Sequence, residues 1–421
     1  MEVVAAGVIF LVTYALIATE RVDKTVAALL GGSLVVVIGI VDQEAAFAAI
    51  DLNVIFLLVG MMILAGILRR TGFFQWVAIR SVKVARGEPY RLLLVLSILT
   101  AVLSAFLDNV TTVVLIAPVT LYIAGVLGVS PIPYLISEIL ASNIGGAATL
   151  IGDPPNILIG SAAGLGFGEF LANMAPVAFI VFIVFLGLTR WFFAADLRVD
   201  PAVRDAVLAL DEREVLTDPR LLRLSLTVIG LTMLGFLLAR PLGLEPGAIA
   251  LMGAAGLMLL SRTDPETALH EVEWSTLFFF VGLFMLVSAI VHVGIVGAVA
   301  DWLLEVTGGD PHVTTIGLIW LSGFASAIID NIPYTVTMIP VVQDVGASGI
   351  PIEPLWWALA MGACFGGNAT IIGASANVVV ADLAARNEHP ISFGRFLRYG
   401  SLVTVVSLAI STVYVTVRYL G

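Results

Sequence analysis

The chain has 421 residues, 60% of them hydrophobic and 12% charged, with a formal net charge of −11. A soluble domain carries roughly 45–50% apolar and about 25% charged residues, so lipid and not a globular interior must be the solvent for most of this surface. The 40 Gly and 18 Pro follow no collagen period, the acidic balance argues against nucleic acid as a partner, and one cysteine, Cys364, allows no internal disulfide or thiolate cluster.

Long apolar runs, as opposed to short alternating segments, predict helices and not a β-barrel. Crossing helices are expected at 3–19, 25–41 and 52–69, the first retained as a span and not cleaved as a signal peptide. Residues 73–87 mix aromatics with Arg80, Lys83 and Arg86 and read as an interfacial helix. A stretch at 90–127 is interrupted by Asp108-Asn109, a second at 134–163 by Gly-Asp-Pro-Pro-Asn, and a span at 173–193 closes the half. A charged segment, 196–223, follows as a linker.

The second half, 224–421, repeats the first, 1–195. SAFLDNVTTVVLIAPV at 104–119 matches SAIIDNIPYTVTMIPV at 326–341, and GGAATLIGDPPN at 145–156 matches GGNATIIGASAN at 366–377. The second half is therefore expected to hold scaffold spans over 224–291, an interfacial helix at 295–306, a hairpin at 312–349, a broken helix at 355–385 and a span at 399–419.

Loop 69–91 carries six basic residues and its counterpart 291–313 carries no Lys or Arg. The positive-inside rule then places equivalent loops on opposite sides. The expected fold class is an all-α polytopic membrane protein of two inverted-topology repeats, each with about five crossing helices, a re-entrant hairpin and a broken helix. Both termini fall outside, linker 196–223 falls in the cytoplasm, and a bacterial plasma membrane is the expected location.

Intramembrane acids need a reason, and broken helices expose backbone groups that bind ions or solutes. The candidate site gathers Asp108, Asn109, Thr111 and Thr112 with Asp330 and Asn331 from the hairpins. From the breaks it takes Asn143, Thr149, Asp153 and Asn156, with Asn368, Thr370, Ser375 and Asn377. Asp108 and Asp330 suit helix capping as well as Na⁺ or proton binding. Asp153 has Ala374 opposite it in the repeat, which makes it the unpaired carrier of a proton or cation, with a turn-stabilising cap as the alternative. Elsewhere, Glu138 reads as facing headgroups, with a second titratable group as the alternative, Lys24 as pairing with Glu20 and Asp23, Trp356-Trp357 as an interfacial belt and Cys364 as a small packing residue, with contact to a thiophilic substrate as the alternative. The four His form no zinc pattern, no nucleotide-binding signature is present, and neither a cofactor nor a catalytic dyad is expected.

FLDNVTTVVLIAPV, NIGGAATLIGDPPNILIG, DNIPYTVTMIPVV and GGNATIIGASANVVVA resemble the arsenite-efflux and sodium/proton antiporter branch of the ion transporter superfamily, closest to the bacterial relatives of the melanosomal P protein. The resemblance spans essentially the whole chain. It implies the fold of divalent-anion/sodium symporters and citrate transporters, with a scaffold domain, a transport domain and a homodimer through the scaffold. It also implies alternating-access transport, with proton-coupled efflux of arsenite or antimonite as the leading expectation. Na⁺/H⁺ antiport, small-anion or dicarboxylate transport and an ion channel are the alternatives. A separate ATPase subunit is a further possible partner besides the small solute and lipid.

Overall fold

The computed structural model describes residues 1–19, 21–193, 197 and 215–421, and among them every regular element is helical. In chain order the first half contains α1 (Glu2–Thr19), α2 (Lys24–Val37), α3 (Gln43–Ala48), α4 (Leu52–Arg69), α5 (Phe73–Val84) and α6 (Pro89–Phe106). It continues with α7 (Asn109–Leu127), α8 (Ile132–Gly146), α9 (Pro154–Ala163), α10 (Phe167–Asn173) and α11 (Ala175–Phe193). The second half begins with α12 (Pro219–Leu242), α13 (Pro246–Ser261), α14 (Pro265–Leu269), α15 (Trp274–His292) and α16 (Ile295–Thr307). It ends with α17 (Pro311–Ile328), α18 (Asn331–Ala347), α19 (Ile352–Gly366), α20 (Ser375–Arg386) and α21 (Phe393–Val415).

Acidic caps set many of the helix starts. Asp23, Asp51, Asp218 and Asp310 accept hydrogen bonds from first-turn N–H groups that have no intrahelical partner. Gly128, Gly164, Gly243 and Gly308 end helices at positive φ, where a side chain would be strained. Nine helices among the described residues are long and apolar enough to cross a membrane, and large apolar side chains such as Leu11, Phe179 and Leu231 stand exposed on them. That outer surface is what a bilayer covers.

Helices α1–α9 correspond in order to α12–α20, and α11 to α21. The halves interlock by exchange: α2 packs along α15, the counterpart of α4, and α4 packs along α13, the counterpart of α2. Within each half the hairpin lies on its own broken helix, α6 on α8 and α17 on α19. Contacts that exchange in this way are those of two repeats related by a two-fold axis.

Helices α6 and α8 run side by side in the same direction. The Tyr134 hydroxyl reaches Pro89 O near their starts, and Thr149 Oγ1, just past the end of α8, reaches Ala105 O in the last turn of α6. The hairpin tip therefore stops level with the break after α8, while α9 continues for another 10 residues, about 15 Å. The tip lies inside the protein.

Several expectations change. Helix α12 starts at Pro219, inside the segment assigned to the linker, and the other linker residues fall outside those described apart from Leu197 and 215–218. The span expected at 25–41 ends at Val37, and the short α3 follows. Glu138 does not face headgroups: it is 1% exposed, with Thr120 Oγ1 donating to its Oε1 at 2.5 Å. Trp356 and Trp357 form no belt, since both are buried and Trp357 packs edge-on against Phe170. Lys24 turns away from its own loop to reach Ser375, with its side chain only partly buried.

Candidate functional site

Close backbone approach builds the site. A Cβ on Gly145 would lie 2.1 Å from Ala101 O, and one on Gly366 would lie 2.5 Å from Gly323 O. Only glycine lets the hairpin arms lie this tightly on the broken helices. Matched hydroxyls fasten each contact. Ser104 donates to Ser142 O and Ser326 to Ala363 O, both at 2.7 Å, and Thr370 Oγ1 donates to Ala327 O at 2.6 Å as Thr149 does to Ala105 O.

The unwound stretches keep their shape through two matched asparagines. Asn156 Nδ2 donates to Ala147 O at 3.1 Å and Thr149 O at 2.8 Å, with a longer 3.5 Å contact to Gly146 O. Asn377 Nδ2 donates to Gly367 O at 2.7 Å and Thr370 O at 2.8 Å. These bonds replace those a continuous helix would supply, which a membrane interior makes obligatory.

Five amide side chains and one carboxylate meet where the hairpin tips touch the breaks. Asn109 Nδ2 donates to Asn143 Oδ1 and Asp153 Oδ1, both at 3.2 Å. Asn331 Nδ2 donates to both oxygens of Asp153, at 3.2 and 3.3 Å. Asn143 Nδ2 donates to Asn368 Oδ1 at 3.1 Å and to Asn377 Oδ1 at 2.9 Å, which joins the two halves. Asp153 heads α9 but does not cap it, so its carboxylate is left for this cluster. It is 0% exposed, and among the described residues it forms no ion pair. Asn109 Oδ1 and Asn368 Nδ2 are buried there without a partner, one acceptor and one donor.

The hairpin acids behave differently. Asp108 Oδ1 accepts from Thr111 N at 2.8 Å and Asp330 Oδ1 from Ile332 N at 3.0 Å, so both cap their helices. Asp330 Oδ2 also accepts from Ser375 Oγ at 2.6 Å. The Thr111 side chain is not part of the amide cluster, and the buried Thr112 hydroxyl makes no hydrogen bond.

Two contributors lie outside the residues assigned to the site from the sequence. Cys364 Sγ donates to Asn156 Oδ1 at 3.4 Å, so it adjoins the site. Lys24 Nζ donates to Ser375 Oγ at 2.7 Å and lies 4.0 Å from Asp330 Oδ2. The signal for Lys24 was a basic residue at the head of an apolar helix.

Residues 14–362 match the profile of the citrate transporter family. An uncharacterized transporter of Mycobacterium tuberculosis is 46% identical over 427 residues, covering 100% of this chain and 99% of the relative. The P protein of Homo sapiens is 34% identical over 504 residues, covering 99% of this chain and 60% of the longer protein. The crystal structure of the YdaH transporter of Alcanivorax borkumensis superposes with a TM-score of 0.61 at 16% identity, covering 99% of this chain and 98% of that one.

Proposed function

Since the chain belongs to the citrate transporter family and is a multi-pass membrane transporter, not an enzyme, we propose that it is a secondary transporter in which Asp153 carries the coupling proton for a small, hydroxylated inorganic solute, arsenite or antimonite. The observation that carries this reading is the enclosed Asp153 carboxylate, held by the amides of Asn109 and Asn331. A charge so placed calls for a proton or a cation as partner. The partnerless Asn109 Oδ1 and Asn368 Nδ2 supply an acceptor and a donor of the kind that a neutral hydroxide needs. A citrate or dicarboxylate would bring negative charge against Asp153, so the family's named substrate fits this centre less well. An enclosed site between two hairpins suits alternating access better than an open pore.

The charge pattern of the loops supports inverted repeats and both termini outside, and the polar hairpin tips, level with the helix breaks, support re-entrant hairpins. The exposed apolar faces of α12 and α13, including Leu231, Leu238, Met252 and Leu259, suit lipid or a second copy of the chain. Sodium/proton exchange is the second reading. It is favoured by the same geometry, because the two Asp153 oxygens and Asn109 Oδ1 are hard donors for Na⁺.

Purified protein in liposomes with an internal pH dye tests both readings. The first expects proton movement driven by arsenite and lost in Asp153→Asn. Movement driven by sodium or lithium alone selects the second. Undiminished flux in Asp153→Asn removes the carboxylate from either mechanism.

A further inference from the structure

The acid at the second hairpin tip has a partner that its twin lacks. Lys24 opens α2, and the adjacent Thr25 Oγ1 donates to Ser275 O at 3.0 Å, fastening this end of α2 to α15. From that anchor the Lys24 ammonium donates to Ser375 Oγ, which donates in turn to Asp330 Oδ2. The three residues border a cavity of about 290 Å³ whose walls are otherwise largely apolar, including Ile17, Val22 and Val378. Positions equivalent to Lys24 and Ser375 in the other half are Pro246 and Pro154, which offer no side-chain donor. The contact joins two bodies. Lys24 belongs to the layer in which α2 packs on α15, whereas Asp330 and Ser375 belong to the hairpin and broken helix. Any sliding of one against the other stretches it.

We propose that Lys24 is a tethered cation: its ammonium occupies the Asp330–Ser375 site in the empty carrier, and a monovalent cation, Na⁺ or a proton, must displace it to bind there. The proposal rests on the transporter reading above, and adds to it a second cation site and a lock. With the site empty, the ion pair holds the hairpin core against the α2–α15 layer. Cation binding frees the core to move, so an unloaded carrier does not slip. The other acids around this site are Asp23, which caps α2, Glu273 at the head of α15, Asp153, and Asp108, whose charge acts on both Glu273 and Asp153. They enrich the site in cations without supplying a competing ammonium.

Two measurements on the full-length protein test this. Carbodiimide coupling, read by mass spectrometry, is expected to join Lys24 to Asp330 in choline chloride. The yield should fall several-fold when sodium replaces choline at fixed pH if Na⁺ is the competitor. If the proton is the competitor, sodium leaves the yield unchanged, and the variants separate the cases. Lys24→Gln should lower the sodium concentration, or raise the pH, at which cation-dependent thermal stabilisation is half complete, by about tenfold or one pH unit, the size of one neighbouring charge's influence. Lys24→Arg should restore the wild-type value. A purely structural lysine would lower stability without moving these midpoints. Midpoints unchanged in Lys24→Gln for both sodium and pH overturn the proposal. Shifted midpoints in a protein that carries no flux leave Lys24 as the cation competitor and remove the transport reading instead.

Discussion

The two halves share a backbone and differ in where they put charge. Gly145 and Gly366, Ser104 and Ser326, Thr149 and Thr370, and Asn156 and Asn377 make the same contacts in both. The acids and their partners do not repeat. At the head of the short helix, Asp153 in the first half faces Ala374 in the second. At the next position Pro154 faces Ser375, the residue that links Asp330 to Lys24. Symmetric packing with asymmetric chemistry means that the two halves share one framework while the charged groups sit at positions that do not repeat.

The sharpest way to break the shared framework is at its closest approach. Gly145→Val drives a side chain into Ala101 O, and Gly366→Val does the same to Gly323 O. Each should cost about 3 kcal/mol or more, because backbone cannot move aside as a side chain can. Neither variant should yield a monodisperse folded protein by size exclusion in detergent. A well-folded Gly145→Val would mean that the α6–α8 contact is looser than its geometry. The asymmetry has its own test. Ala374→Asp installs a second carboxylate opposite Asp153 and should abolish proton-coupled flux. Asp153→Ala with Ala374→Asp asks whether the acid works from either half; on the proposed reading flux should stay low, because a carboxylate at 374 sits beside Ser375, which is already tied to Asp330 and Lys24, where Asp153 has Pro154.

A smaller effect separates the two asparagines. Asn156→Ala strips the donor from two well-bonded backbone carbonyls and the acceptor from Cys364, whereas Asn377→Ala strips the donor from two carbonyls and removes the Oδ1 that takes Asn143. Unmade bonds of this kind cost about 1–3 kcal/mol each. Both variants should melt lower, and only Asn377→Ala should also weaken the Asn143 amide bridge between halves, since the bond across the halves that Asn156→Ala loses is the weak one from Cys364 Sγ. Equal transport defects in the two would show that the bridge is unimportant.

Much of this arrangement was legible in the sequence because it occurs twice. A motif repeated at fixed spacing marks the breaks, and polar residues within apolar runs mark what the breaks expose. What stayed hidden lacked a twin. Lys24 is matched by Pro246, and its partners Asp330 and Ser375 lie more than 300 positions away, so no local pattern tied them. Asp153 read equally well as a cap, because an acid before Pro-Pro fits that role; only the direction of its carboxylate decides. Trp356 and Trp357 look interfacial by composition, yet neighbouring helices cover both.

The smallest expected effect concerns Glu138, where the halves differ in a place that neither motif touches. Glu138 and Thr120 form a buried polar pair whose counterparts, Leu359 and Val342, are apolar. Glu138 Oε2 has no hydrogen-bond partner. A polar pair left partly unsatisfied adds little stability over well-packed apolar residues of similar volume. Glu138→Leu with Thr120→Val, which copies the second half into the first, should therefore leave the melting temperature unchanged or raise it slightly. Glu138→Leu alone leaves Thr120 without its acceptor and should lie below the double variant. If the double variant is clearly less stable than the wild type, Oε2 has a partner, such as a bound water, worth more than the apolar pair, and the two halves differ in packing here as well as in charge.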